Sequence, residues 1–193
     1  MTEEYVGYRN VPSYSQTTDY LEQEGSLTTS QIEDWNNSLC GLICASMVTD
    51  QLSGEEHTLA ELLHAATKSG AYDSRRGWIH KKLASLLKEF GINGNAQRIN
   101  DLDSLYSLLE KNSLVMASVS PFYLNPERKN DPSEKNGHLV LIVGMSKEPT
   151  SGYRLFINDP SSEHAAGGSN ISIEGDVFRK SFSGNTIAFK SSK

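Results

Sequence analysis

Leu39-Cys40-Gly41-Leu42-Ile43-Cys44-Ala45-Ser46-Met47-Val48-Thr49-Asp50-Gln51-Leu52 is the stretch on which the fold turns. Its apolar side chains at 39, 42, 43, 47, 48 and 52 follow the spacing of a helix that buries one face. Asn36-Asn37-Ser38, just before it, offers the amide and hydroxyl groups that cap helix starts. Cys40 therefore falls in the first turn of a buried helix. There, unpaired backbone N–H groups and the helix dipole favour an ionised sulfur.

Downstream, Thr58 to Thr67 reads as a second helix, with Thr58 as cap and Glu61 three residues on. Gly77 to Phe90 reads as a third, ended by Gly91, and Leu102 to Lys111 as an amphipathic fourth. The character then changes. Leu114 to Val119, Leu139 to Val143, Tyr153 to Ile157, Ile171 to Ile173 and Thr186 to Phe189 have strand composition. Tyr123 to Gly137 is a polar loop between the first two. Upstream, Pro12 makes Val11 to Gln16 an edge strand or extended arm, and residues 17–34 read as a polar surface loop with a helical turn near Ser30 to Trp35. Helices followed by strands describe one α+β domain over residues 1–193: arm and loop 1–35, helical part 36–112, antiparallel sheet part 113–193.

Composition narrows the function. Eighteen Lys and Arg against 24 Asp and Glu give a formal charge of −6, and the basic residues are scattered, which argues against nucleic-acid binding. Arg75-Arg76 and Lys81-Lys82 read as solvated faces. No apolar run approaches the roughly 18 residues of a membrane span. The acidic start Met-Thr-Glu-Glu lacks a leader's apolar core, so the expectation is a cytoplasmic protein, one delivered without a classical signal peptide, or one whose leader has been trimmed. Two cysteines rule out a disulfide framework, and no second ligand pair at zinc spacing accompanies them. Neither a metal nor an organic cofactor is expected. Oligomeric state is not readable.

Three residues carry the chemistry together. His138 opens the most hydrophobic strand, and Asp159 begins a turn between Asn158 and Pro160. If the two strands pair as a hairpin through Ser146 to Gly152, imidazole and carboxylate meet at one sheet end, facing the start of the Cys40 helix. The histidine then takes the thiol proton and the carboxylate fixes its tautomer.

Asn37-Ser38-Leu39-Cys40-Gly41-Leu42-Ile43-Cys44-Ala45-Ser46-Met47-Val48 resembles the nucleophile helix of bacteriocin-processing (double-glycine leader) peptidases and their stand-alone relatives. Gly137-His138-Leu139-Val140-Leu141-Ile142-Val143-Gly144 resembles their histidine strand, and Phe156-Ile157-Asn158-Asp159-Pro160 their acidic turn. Val11-Pro12-Ser13-Tyr14-Ser15-Gln16 resembles the segment leading to their oxyanion-hole glutamine, and Gly77-Trp78-Ile79-His80-Lys81-Lys82-Leu83 a segment of free-standing members. The resemblance implies a papain-like fold and a cysteine peptidase with catalytic Cys40, His138, Asp159 and Gln16. It also implies a peptide or protein substrate, cut through an acyl-enzyme after small residues such as Gly-Gly. Gln16 stands farther upstream of the cysteine than in the closest-knit members, so Gln31 competes for the oxyanion role.

Cys44 reads as a small core residue or a resolving thiol for Cys40, and His57, His64 and His164 as solvent-facing. His80, Trp35 and Trp78 are candidates for a substrate wall. The same triad also suits an amidase, deamidase or transferase toxin. A papain-like module that binds peptides without cutting them is the rival from another class, and an immunity or inhibitor protein has no specific support.

Overall fold

A computed structural model describes residues 4–35, 38–120, 137–148, 152–161 and 168–192. Its elements run β1 (Glu4–Gly7), α1 (Thr18–Glu24), α2 (Thr29–Trp35), α3 (Cys40–Leu52), α4 (Leu59–Ser69), β2 (Tyr72–Asp73), β3 (Gly77–Trp78) and α5 (His80–Leu86). A 3-10 turn (Leu87–Phe90) leads into β4 (Ile92–Arg98), α6 (Leu102–Glu110), β5 (Leu114–Val119), β6 (His138–Glu148), β7 (Gly152–Asn158), β8 (Ile171–Glu174), α7 (Gly175–Ser181) and β9 (Phe182–Ser191).

The sheet has the order β4-β9-β5-β6-β7-β8, with β1 also paired to β6, and every pairing is antiparallel. The long β6 is its spine. Its first half pairs with β5 (Val119 opposite His138), its second half with β1 (Gly7 opposite Gly144), and its other edge with β7. Helices cover both faces, so β6 shows unbroken apolar character where a strand with one wet face would alternate. Leu139, Leu141 and Val143 join the core beneath α3 and α4, while Val140 and Ile142 join the core with Leu105 and Leu109 of α6 and Phe178 of α7.

The helix that carries Cys40 is read from its sequence to within one residue: α3 begins at Cys40, not Leu39, and is buried nearly throughout. Ser38 does not cap it, since the N-cap residue is Leu39 and no side chain among the described residues bonds to the helix start. The other proposed caps, Asn36 and Asn37, lie outside the described residues, as do His164 and all of the Tyr123–Gly137 loop except its last glycine. Other expectations need correction. Residues 17–34 are not a loop; they fold into α1 and α2, which insert Leu21 and Ile32 into the core. Both helices are started by threonine: Thr17 Oγ1 accepts from the Tyr20 N–H, and Thr28 Oγ1 from the Gln31 N–H. The third helix begins only at His80, because Gly77 takes φ +71° and closes the β2–β3 hairpin first. Further elements went unread. The polar edge strand β4 has no apolar alternation, β1 gains its order by pairing with distant β6, and α7 is short.

Candidate active site

The start of α3, the start of β6 and the turn after β7 converge. His138 Nε2 lies 2.6 Å from Asp159 Oδ1, and the Cys40 side chain is close enough to raise the proton affinity of the imidazole. With Nε2 engaged by the carboxylate, Nδ1 is the nitrogen left for the sulfur. All three residues are buried, Asp159 at 1% exposure. The β6–β7 pairing that puts Leu141 opposite Asn158 leaves His138 and Asp159 together at one end of the hairpin.

Asp159 is held from several sides. Its Oδ1 also accepts the Ser161 N–H at 2.8 Å, and its own N–H donates to the Gly168 carbonyl at 2.7 Å. Gly168 has φ +64°, and a Cβ there would sit 1.9 Å from the Asp159 carbonyl oxygen, so a glycine is required. Burial pushes His138 down as a base, but its hydrogen bonds to Asp159 and Cys40 outweigh that and raise its pKa from 6.5 to about 10. The arrangement can hold a proton on the ring beside the sulfur, which is what nucleophile activation requires.

The first turn of α3 is fixed by aromatic packing. Trp78 Nε1 donates to the Ser38 carbonyl at 2.7 Å, and the Tyr72 and Ser38 hydroxyls are 2.6 Å apart. Trp35, Tyr72 and Trp78 form one cluster, with ring centroids 4.9 to 6.2 Å apart. Gly41 lies flush against it; a Cβ there would meet the Trp78 ring at 2.5 Å. A cleft of about 320 Å³ opens over Cys40, lined by Tyr72, Trp78, His80, Ser118, Leu139 and Asn185 among others. Burial lowers the pKa of His80.

The two glutamines part company. Gln31 Oε1 accepts the N–H and hydroxyl of Thr28 at 2.9 and 3.0 Å, closing a capping box at the start of α2. Gln16 instead runs beside the acidic turn: its N–H donates to the Pro160 carbonyl at 2.9 Å. Its side-chain Oε1 is buried with no hydrogen-bond partner among the described residues, and Gln16 is not among the cleft-lining residues. Asn158 ties the same arm down, donating to the carbonyls of Val11 and Pro12 at 3.3 and 3.0 Å.

Cys44 sits below Cys40, fully buried, and its thiol donates to the Leu139 carbonyl at 3.5 Å. Burial raises its pKa, with Cys40 and Asp159 adding to the effect, so this setting favours the thiol over the thiolate that a resolving role needs. His57 is not simply solvent-facing: it packs edge-on against Phe90 at 4.8 Å. Sequence reasoning missed Arg75, Arg76, Ser118 and Asn185 as cleft residues. For the arginines a signal existed, since Asp73 before them and Gly77 after them mark a hairpin turn. No group of three or more His, Cys, Asp and Glu suited to a metal ion occurs among the described residues. No helix there is long and apolar enough to cross a membrane.

The sequence profile of the Peptidase_C39 like family matches residues 8–184, and the chain belongs to that family. Among solved structures, a Bacillus anthracis protein assigned as C39-like peptidase superposes with a TM-score of 0.62 at 15% identity, over 98% of this chain and 100% of its own. The peptidase domain of Streptococcus ComA, a bi-functional ABC transporter involved in quorum sensing, superposes with a TM-score of 0.54 at 13% identity, over 80% of this chain and 92% of that domain. At such identities these likenesses speak for the fold, which is the papain-like α+β fold of this family. None of the curated proteins matches the chain.

Proposed function

We propose that this chain is a cysteine peptidase in which Cys40 is the nucleophile, His138 the general base and acid, and Asp159 the residue that orients the histidine. The observation that carries this reading is the His138 ring, buried at the head of β6, 2.6 Å from Asp159 and near enough to Cys40 for the sulfur to raise its proton affinity. Family membership supports peptidase chemistry in general.

The Cys40 thiol proton passes to His138, and the sulfur attacks the peptide carbonyl carbon. The resulting oxyanion is held by backbone N–H groups at the start of α3 and by the Gln16 side-chain amide. Collapse of this intermediate expels the amine, which takes its proton from His138 and leaves a thioester on Cys40. Water, deprotonated by the same ring, attacks the thioester and frees the acid and the thiol. Asp159 keeps Nε2–H pointing at itself, so that Nδ1 stays aimed at the sulfur. Gln16 fits the oxyanion role better than Gln31, because its arm lies against the acidic turn whereas Gln31 is committed to its capping box.

The test is a peptide library digested by wild type and by Cys40→Ala, with products read by mass spectrometry. Cleavage products that vanish in the variant are expected. Labelling by a thiol probe should favour Cys40 over Cys44 and fall when His138 is replaced by alanine. Equal, slow labelling of both cysteines with no cleavage would instead identify a peptide-binding module.

A further inference from the structure

The cleft over Cys40 differs in charge from the molecule around it. The chain carries a formal charge of −6, yet Arg75, Arg76 and His80 line the cleft and no carboxylate does among the described residues. Both arginines sit in the turn of the β2–β3 hairpin, and Asp73 organises that turn. Its Oδ1 accepts the N–H groups of Arg75 and Arg76, each at 3.0 Å, and its Oδ2 the Arg76 guanidinium at 3.3 Å. The one acid of the hairpin is therefore committed to the backbone and to Arg76. Among the described residues, no carboxylate pairs with the guanidinium of Arg75.

An exposed arginine pair is ordinarily a solvated face. This pair differs because its hairpin is fixed to the nucleophile. Trp78 and Tyr72, which face each other across β2 and β3, both bond to Ser38, two residues before Cys40. The positive turn is therefore tied to the segment that carries the sulfur, in a cleft whose lining includes the neutral polar groups of Ser38, Ser74, Ser118 and Asn185. A guanidinium offers a planar fork of donors that matches a carboxylate.

We propose that Arg75, seconded by Arg76, is a specificity-determining residue that seats a carboxylate of the substrate near the scissile bond. The inference rests on the peptidase reading and adds the substrate class: peptides bearing an acidic side chain, or a free C-terminal carboxylate, at a fixed position from the bond that is cut.

Two measurements test it. The first compares alkylation of Cys40 by iodoacetate and by iodoacetamide at low ionic strength, resolved by mass spectrometry. The reagents differ by one negative charge, so the ratio of their rates reads the local potential whether or not a peptide is ever cut. Relative to wild type, the ratio should fall about twofold in Arg75→Ala and about fivefold in Arg75→Glu, as expected for a charge several ångströms away in a wet cleft. Arg75→Lys should stay near wild type, and circular dichroism confirms that each variant is folded. The second measurement sequences the products of a peptide library made with free and with amidated C-termini. Wild type should prefer Asp or Glu at one fixed position, or lose turnover on amidation, and Arg75→Glu should lose whichever preference is found. An unchanged alkylation ratio in Arg75→Glu overturns the proposal. So do Cys40-dependent cleavage sites that need neither an acidic residue nor a free C-terminus. If the ratio responds to Arg75 but nothing is ever cleaved, the positive potential over Cys40 stands, while the peptidase reading and the specificity built on it fall.

Discussion

In the proposed mechanism His138 is a base toward a sulfur on one side while a carboxylate holds it on the other, and its surroundings suit both demands. Burial alone would lower its pKa, but Asp159 and Cys40 beside it raise it. Replacing Asp159 by alanine removes the anchor of Nε2 and frees the ring to turn. Turnover of any cleavable peptide should then drop roughly 100-fold or more, in the range general acid–base contributions span. A drop in kcat/KM of only a few-fold would show that Asp159 does not orient the ring. The glutamines give a paired expectation. Gln16→Ala should lower kcat about 100- to 1000-fold with little change in melting temperature, as loss of one oxyanion donor does. Gln31→Ala should do the reverse, leaving kcat in place and costing about 0.5–2 kcal/mol of stability through the lost capping box. Steady-state kinetics beside thermal melts separate the two, and a kcat loss confined to Gln31→Ala would reassign the oxyanion hole.

At the scale of elements, the site is a meeting of ends: the N-terminus of α3, the first residue of β6 and the turn after β7. Gly41 shows how tightly these ends are set. Its missing Cβ leaves room for the Trp78 ring, which cannot retreat because its Nε1 is bonded to Ser38 and its faces are packed by Trp35 and Tyr72. Gly41→Ala should therefore destabilise the protein by about 1–3 kcal/mol, the usual cost of overpacking, and shift the first turn of α3. Denaturant melts measure the first effect, and the alkylation rate of Cys40 reports the second. Wild-type values for both would mean the ring is free to move. Elements whose identity lies in local pattern could be read from sequence: α3 through its apolar spacing and buried β6 through its unbroken aliphatic run. The elements missed are ordered by distant partners. β1 is only Glu-Tyr-Val-Gly until Gly144 admits Tyr5 beside β6, and β4 is a polar edge whose register comes from β9. The proposed site was legible to the same degree. Cys40, His138 and Asp159 each open or end a readable element, whereas Arg75, taken for a solvated face, reaches the cleft through a hairpin whose second strand was read as the start of a helix.

Across the whole molecule, the site draws on residues from nearly the full length of the chain, since Asn158 fastens the arm at Val11 and Pro12 to the turn that carries Asp159. Anything that favours the assembled site must then favour the folded state, and the His138 proton is such a term. Its pKa is raised on folding, so the folded chain binds this proton more tightly than the unfolded chain. The stabilisation is complete below the ordinary 6.5 and is lost as pH climbs through about 10. Net negative charge also grows over this interval and weakens any compact state by self-repulsion, so a falling melting temperature by itself proves nothing. A comparison with His138→Ala removes that ambiguity, because both proteins share the same acidic surface. The melting temperature of wild type should exceed that of the variant most below about pH 6.5, and the gap should close toward the alkaline end. A gap that stays constant or widens with rising pH would mean that the folded chain does not hold this proton tightly, and that the ring is not poised as an imidazolium beside Cys40.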